Sequence, residues 1–323
     1  MSDTKYTYAV ARIRALENAL FTDAVIEQIL ACPTAEQALQ FVKEKGWGSG
    51  AADEDMDSLL NREEEKAWEV IRDVAPDIHL FDVLSYPKLY HNLKAAVKKA
   101  CTGAPGEHIF YEDCSIPGQE MLKIVENKEF SRLPGNMPGA AQEAFETLLH
   151  TGDGQLCDVL IDRAALEAVF EAGEKSGEPI IRDYADTTVA IADIRIAVRA
   201  RKTGKTAEFM QRAMAPCRSI STEQLIRAAL AGEDEISRYL AGTAYAGGAE
   251  ALKESPSAFE RWCDDRMTEI MKPQKYQTFS VGPLLGYLTG RQNEIKTVRI
   301  ILTGKQNGFP DDAIRERIRE MYV

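Results

Sequence analysis

Residues 282–305 read GPLLGYLTGRQNEIKTVRIILTGK, and this stretch predicts one long helix. Its apolar residues recur at steps of three, four or seven, which places them on a single helical face. These residues are Leu284, Leu288, Ile295, Val298 and Leu302. Pro283 suits a first helical turn, and Gly304 suits the left-handed residue just beyond a last turn.

A short second helix is predicted close behind the first. Pro310 is followed by Asp311 and Asp312, and acidic side chains in a first turn interact favourably with the helix dipole. The apolar stripe of this helix consists of Ile314, Ile318 and Met321. The end of the chain is therefore expected to be a long helix, a tight break and a short helix.

A signature inside the long helix recurs twice upstream, at offsets of 100 and 101 residues. Each copy has a short polar residue, then valine and a base, then threonine-glycine. The copies are Asn293-x4-Val298-Arg299-x3-Thr303-Gly304, Asp193-x4-Val198-Arg199-x3-Thr203-Gly204 and Asn92-x4-Val97-Lys98-x3-Thr102-Gly103. A repeat of this length indicates tandem structural units rather than one large domain.

Two further markers occur in the same order in the second and third copies. One is the pair of segments that begin at Ser115 and Ser219, and Ser221 in the latter has capping-box spacing to Gln224. The other comprises Asn61-Arg62, Asp162-Arg163 and Asp265-Arg266. The sequence thus predicts three similar helical domains, over residues 1–105, 106–208 and 209–323.

The remaining segments also favour helices. They are predicted over residues 6–21, 23–30, 34–45, 59–74 and 79–101, with a flexible break at 46–50 and a linker at 103–106. Residues 189–198 are the most β-branched stretch, yet Val189, Ala192 and Ile196 keep helical spacing. Since sustained two-residue alternation is absent from the sequence, the predicted fold class is all-α.

Composition excludes several classes of partner. The formal charge of −12 would repel a phosphate backbone or an anionic lipid surface, so we expect no nucleic-acid partner. The six cysteines are scattered without a Cys-x-x-Cys pair, which favours reduced thiols in the cytoplasm. No signal peptide or run of 18 apolar residues occurs, so we expect no direct membrane insertion.

Motifs for catalysis or metal binding are weak. Thr203-Gly204-Lys205-Thr206 imitates the end of a phosphate-binding loop, but Arg199 stands where that loop needs its first glycine. A helix cap explains the glycine better. His79, His91, His108 and His150 lack zinc-ligand spacing, and the acidic run at 53–57 is interpreted as a solvated helix start. We therefore expect no catalytic residue, cofactor or metal.

Residues 6–17 (YTYAVARIRALE) resemble the opening helix of the C subunit of the bacterial and archaeal V-type (A/V-type) ATPases, the counterpart of the d subunit of the eukaryotic vacuolar ATPase. Residues 293–305 and 314–318 resemble its closing signature, and the threefold repeat agrees with that family's pseudo-threefold build. The resemblance implies a funnel of three helical domains on the cytoplasmic face of the membrane rotor ring. Its partners would be the proteolipid rotor ring and the D and F subunits of the central stalk.

That resemblance also implies a role without catalysis. ATP would be handled by other subunits, and this chain would pass torque between shaft and ring for ATP-linked transport of protons or sodium. Candidate partner-contact residues are Arg12, Arg14, Arg291, Lys296 and Arg299. The alternatives are that these cations are solvated or paired within the chain, that the protein is a helical-repeat adaptor of another complex, or that it is a soluble enzyme.

Overall fold

A computed structural model describes residues 5–51, 54–103 and 109–323. Within these ranges the chain has sixteen α-helices and no β-strand, which confirms the all-α prediction. The sequence analysis also made predictions about positions outside the described residues. These positions are residues 1–4, Asp53, the linker residues 104–106 and His108.

The chain divides into two compact units. Unit 1 combines the segment up to Ile78 with the segment from Gly247 onward, and unit 2 comprises His79–Ala246. Both units therefore draw on more than one of the three predicted repeats. Membership of a repeat and membership of a packed unit are different properties, so the boundaries 1–105, 106–208 and 209–323 stay a prediction.

Unit 1 is built around the closing long helix. Its helices are α1 Thr7–Glu17, α2 Asp23–Leu30, α3 Ala35–Glu44, α4 Met56–Val74, α13 Ala246–Glu254, α14 Pro256–Met271, α15 Gly282–Gln306 and α16 Asp311–Arg315. Helix α15 packs against α1, α2, α3, α4, α14 and α16. Its predicted apolar face is confirmed, because all five of the residues on that face are buried.

Unit 2 comprises the middle of the chain. Its helices are α5 Asp82–Thr102, α6 Gly118–Glu126, α7 Met137–Thr151, α8 Gly154–Lys175, α9 Pro179–Lys202, α10 Ala207–Ala213, α11 Thr222–Ala231 and α12 Glu233–Ala241. Helix α8 packs against α5, α7 and α9, and α9 packs against α11. Residues 189–198 lie within α9, as their helical spacing predicts.

The left-handed glycine cap is confirmed in two copies of the repeat and wrong in the third. Gly103 ends α5 with φ +64°, and Gly204 follows α9 with φ +65°. Gly304 is instead buried inside α15, which continues to Gln306, and the left-handed residue there is Gly308. A Cβ at Gly304 would come within 2.7 Å of Ile314 Cγ1. This glycine therefore provides space for α16 rather than a turn.

Other predictions from local sequence also differ in detail. The helix predicted over residues 6–21 is shorter in the structure, because α1 ends at Glu17. Leu20 and Phe21 are buried, but they lie in the segment after the helix. Helix α16 ends at Arg315, and Ile318 and Met321 reach the core of unit 1 from beyond it. The break at 46–50 is present, but Trp47 within it is buried.

Candidate functional site

The five predicted contact residues all lie in unit 1, on α1 and α15, and each is held by an acidic partner of the same unit. Arg12 pairs with Asp73, Arg14 with Glu17 at 2.7 Å, Arg291 with Glu63 and Glu294 at 2.6 Å each, Lys296 with Asp264 at 2.5 Å, and Arg299 with Asp57 at 2.5 Å. Internal pairing, one of the alternatives left open by the sequence, is therefore present at every position. Their role in binding a partner stays a prediction.

These five side chains differ strongly in accessibility. Arg12, Lys296 and Arg299 expose 40–48% of their side chains, so a partner protein can reach their charges. Arg14 exposes 31% and also donates to the carbonyl of Gln277 at 2.9 Å. Arg291 exposes only 12%, which assigns it to the interior of the unit.

Arg291 is the centre of a buried ionic cluster. Glu63 and Glu294 have side chains only 1% and 2% exposed, and Arg291 bridges them. Burial opposes the charge on Arg291, but attraction by Glu294 and Glu63 outweighs it and raises the pKa of the guanidinium. The guanidinium also lies over the ring of Trp47. The charge of Arg291 thus has a carboxylate partner at each of its two terminal nitrogens and an aromatic face beside it.

The two carboxylates of this cluster also accept hydrogen bonds from the backbone. The N–H of Phe21 donates to Glu294, and the N–H of Gly48 donates to Glu63 at 2.8 Å. Lys66 adds a third donor to Glu63 at 2.6 Å. The cluster thus joins the loop after α1, the loop after α3 and the middle of α15.

The short polar residue of the repeat signature has the same role in all three copies. Asn92 exchanges two hydrogen bonds with the backbone of Tyr111, both 2.8 Å long. Asp193 accepts from the N–H of Ala215 at 3.2 Å, and Asn293 donates to the carbonyl of Glu320 at 2.7 Å. In each copy the middle of a long helix therefore holds the backbone of a segment 19–27 residues further along.

Sequence reasoning found this position but missed its role. The repeat marked all three residues, yet the partners are backbone groups and leave no trace in the sequence. Asp193 is fully buried, as Asn92 is, but its Oδ2 has no hydrogen-bond partner among the described residues. Burial raises the pKa of Asp193 to about 8, opposed by the N–H of Ala215 and by Arg163.

The predicted weak motifs have structural explanations. Gly204 is a left-handed residue after α9, Thr206 caps α10 by accepting from the N–H of Phe209, and Lys205 binds Gln155 at 2.6 Å. Asp55 caps α4 by accepting from the N–H of Ser58. Among the described residues, no group of three or more His, Cys, Asp or Glu side chains is placed to hold a metal ion.

Comparison with known proteins places the chain in a family. A family model described as ATP synthase (C/AC39) subunit matches residues 9–317. The chain belongs to the ATP synthase (C/AC39) subunit family. The resemblance found from the opening and closing segments is therefore confirmed over nearly the whole length.

Curated relatives of this C/AC39 chain are subunits of rotary ATPases. It is 24% identical to the C subunit of the V-type sodium ATPase of Enterococcus hirae, over 96% of this chain and 97% of the relative. It is 22% identical to the C subunit of the A-type ATP synthase of Methanothermobacter thermautotrophicus, over 97% and 87%. The corresponding A-type ATP synthase chain of Haloferax volcanii is 24% identical, over 96% of both chains. This C/AC39 protein is therefore a subunit of a V/A-type ATPase.

None of the helices in the described ranges combines the length and apolar character needed to cross a membrane.

Proposed function

We propose that this chain is a non-catalytic subunit of the central stalk of a rotary V/A-type ATPase, where it couples the rotating shaft to the membrane proteolipid ring. The match of the C/AC39 family to residues 9–317 carries this proposal. Its partners would be the proteolipid ring on one side and the D and F subunits on the other. It would lie on the cytoplasmic face of the membrane and associate with it through the complex.

The construction of unit 1 suits a part that transmits torque. The 25-residue helix α15 is buried among six other helices, and the Arg291 cluster ties it to two loops. Side chains packed at crystal-like density transmit strain rather than absorb it. A funnel of three such helical domains, as the family resemblance implies, would present a stiff socket to the shaft.

Exposed charges suit a subunit that must stay soluble before assembly. Polar contacts give specificity without a large apolar patch that would aggregate in the free protein. Arg12, Lys296 and Arg299 combine exposure with fixed geometry, because each is held by a carboxylate. We propose that these three cations face acidic groups of the shaft or the ring. Arg14 and Arg291 are less exposed and would act from within unit 1.

Charge-swap variants separate partner binding from internal pairing. R299E breaks the pair with Asp57, whereas R299E/D57R restores an ion pair with reversed polarity, and R12E/D73R does the same for Arg12. If the cations contact a partner, both swapped variants will fold normally but lose co-purification with the stalk and ring subunits from detergent-solubilised membranes. The matched control is R227E, which reverses an arginine exposed in unit 2 and paired with Glu223.

Three outcomes would contradict the proposal. Unchanged co-purification in the swapped variants would show that these cations serve only internal pairing. Absence of every ATPase subunit from the wild-type eluate would indicate an adaptor of another complex. The isolated chain is also expected to lack ATPase activity, and ATP hydrolysis that persists through further purification would favour an enzyme.

A further inference from the structure

The repeat signature extends further than its threonine-glycine ending. Residues 199–209 and 299–309 both follow the pattern Arg-x3-Thr-Gly-Lys-x3-Phe, with all five named positions identical at an offset of 100 residues. The backbone departs between the copies, since α9 ends at Lys202 whereas α15 continues to Gln306. Even so, arginine, threonine and phenylalanine line a surface groove in both copies.

Groove 1 lies in unit 2 between α8, α9 and α10 and has a volume of about 500 Å³. Its apolar wall consists of Val159, Ile196, Ala200, Phe209 and Ala213. Arg199, Lys202 and Lys205 supply positive charge at its edge. The Nζ of Lys205 lies 4.9 Å from the centroid of the Phe209 ring, so charge and aromatic surface are adjacent.

Groove 2 lies in unit 1 at the end of α15 and is smaller, at about 210 Å³. Its apolar wall consists of Ile300, Phe309 and Ile314, and its cations are Arg299 and Arg317. Phe309 is 49% exposed, although aromatic side chains usually bury most of their surface. Both units therefore combine a cationic edge with a phenylalanine, which is exposed at position 309 and partly buried at position 209.

The charge of the grooves is opposite to that of the chain as a whole. The formal charge is −12, yet groove 1 has three cationic lining residues and Asp162, and groove 2 has two cationic lining residues. Asp162 is paired with Lys94 at 2.6 Å, and Arg299 is paired with Asp57 at 2.5 Å. With Asp57 counted, the charge of groove 2 is still positive through Arg317. Cations in a last helical turn complement the helix dipole, but that effect needs neither the phenylalanine nor the apolar wall. An acidic segment with a bulky apolar side chain complements both parts of each groove.

We propose that groove 1 and groove 2 are equivalent docking sites, each of which receives the same acidic-apolar segment from one of several identical copies of a partner. This inference rests on the proposed function, in which the proteolipid ring is the partner present in many copies. Duplicated sites on one chain gain affinity when a multivalent partner occupies them together. The repeat within this chain would thus match the repeat within the ring.

The test places a photo-crosslinking phenylalanine analogue, p-benzoylphenylalanine, at position 209 or 309 of the chain in the purified ATPase complex. Both positions are expected to crosslink to the proteolipid, and mass spectrometry should find the same acidic proteolipid peptide in both products. The matched control is position 279, because Phe279 is 52% exposed in unit 1 and lines neither groove. It should give no proteolipid product.

Alanine substitutions provide a second, quantitative readout. Each of F209A and F309A should weaken binding of the purified chain to the detergent-solubilised ring by about tenfold, as is usual for an aromatic anchor. The double variant should lose about a hundredfold, since the sites lie in different units and their effects should multiply. Circular dichroism of each variant confirms that it is folded before binding is measured.

The results distinguish failure of this inference from failure of the proposed function. If the chain co-purifies with the ATPase but positions 209 and 309 crosslink to different subunits, to lipid or to nothing, the inference is wrong and the proposed function stands. If the chain is absent from the ATPase complex, both are wrong.

Discussion

The guanidinium carbon of Arg291 lies 4.7 Å from the centroid of the Trp47 ring, and Trp47 in turn stacks on Phe21 at 4.9 Å. The cation thus has an aromatic ring on one side and two buried carboxylates within hydrogen-bond reach. The ring comes from the glycine-rich loop after α3, and the arginine from α15. A loop that local sequence marks only as a break is therefore anchored to helix α15.

Removal of Arg291 should destabilise unit 1 strongly. R291A leaves Glu63 and Glu294 buried and without their shared cation, and breaking a buried ion pair in this way costs about 3–5 kcal/mol. R291K should lower the free energy of unfolding by less, because a lysine keeps the positive charge. It should still be less stable than the wild type, since an ammonium cannot bridge both carboxylates with a planar fork. Urea unfolding followed by tryptophan fluorescence reports on this unit selectively, because all three tryptophans lie in it.

The control for Arg291 is Arg299 on the same helix. Its pair with Asp57 is exposed on both sides, so R299A should change the free energy of unfolding by less than about 1 kcal/mol. Equal effects of R291A and R299A would contradict the assignment of Arg291 to a buried ionic cluster.

Gly304 should tolerate alanine only if Ile314 is made smaller. A Cβ at position 304 would lie 2.7 Å from Ile314 Cγ1, so G304A should destabilise the protein by about 1–3 kcal/mol through overpacking. In an I314A background the same substitution should cost less than about 0.5 kcal/mol, because the clashing atoms are gone. A double-mutant cycle by urea unfolding measures this coupling. Additive effects would show that Gly304 does not provide the space for α16.

The wrong prediction for Gly304 shows where local sequence stops being informative. Glycine is favoured both at a left-handed cap and where two elements approach closely, and the sequence does not distinguish these uses. Gly103 and Gly204 are caps, so the repeat itself suggested a third. At Gly304 the close approach is to Ile314, and this tertiary contact is visible only in the structure.

Apolar periodicity and capping residues, by contrast, are local properties and predicted the fold well. The buried face of α15 and the cap of α11 by Ser221, which accepts from the N–H of Gln224, both follow from spacing alone. The candidate site was less accessible to such reasoning. Arg291 meets Glu63 across 228 residues, and no pattern in the sequence connects the two.

The repeat position at Asn92 should not accept a carboxylate. Asn92 is fully buried and both donates to and accepts from the backbone of Tyr111, and an ionised aspartate cannot donate. N92D should therefore remove the donor to the carbonyl of Tyr111, place a carboxylate at a fully buried position and lower the stability of unit 2 by about 1–3 kcal/mol at pH 7. Thermal unfolding followed by far-ultraviolet circular dichroism measures the loss. N293D is the less buried comparison and should cost less.

The buried carboxyl of Asp193 should make unit 2 less stable as the pH rises. Burial raises the pKa of Asp193 from 3.8 to about 8. The N–H of Ala215 and the charge of Arg163 on α8 act in the opposite direction. The other titratable groups nearby are Asp186 on the same helix and Cys217. Between these two values the folded state retains a proton that the unfolded state has released. Stability contributed by this group is thus present below about pH 4 and is lost up to about pH 8, with a slope of at most about 1.4 kcal/mol per pH unit.

D193N isolates this effect, because it installs the residue found at the other two repeat positions. An amide has no proton to lose, so D193N should equal the wild type near pH 4 and become progressively more stable than it between pH 5 and pH 8. Melting temperatures from circular dichroism, measured across that range, test the difference. The matched control is D183N, which changes an exposed aspartate on the same helix and should leave the pH profile unchanged. Parallel profiles for D193N and the wild type would show that Asp193 is ionised in the folded protein throughout this range.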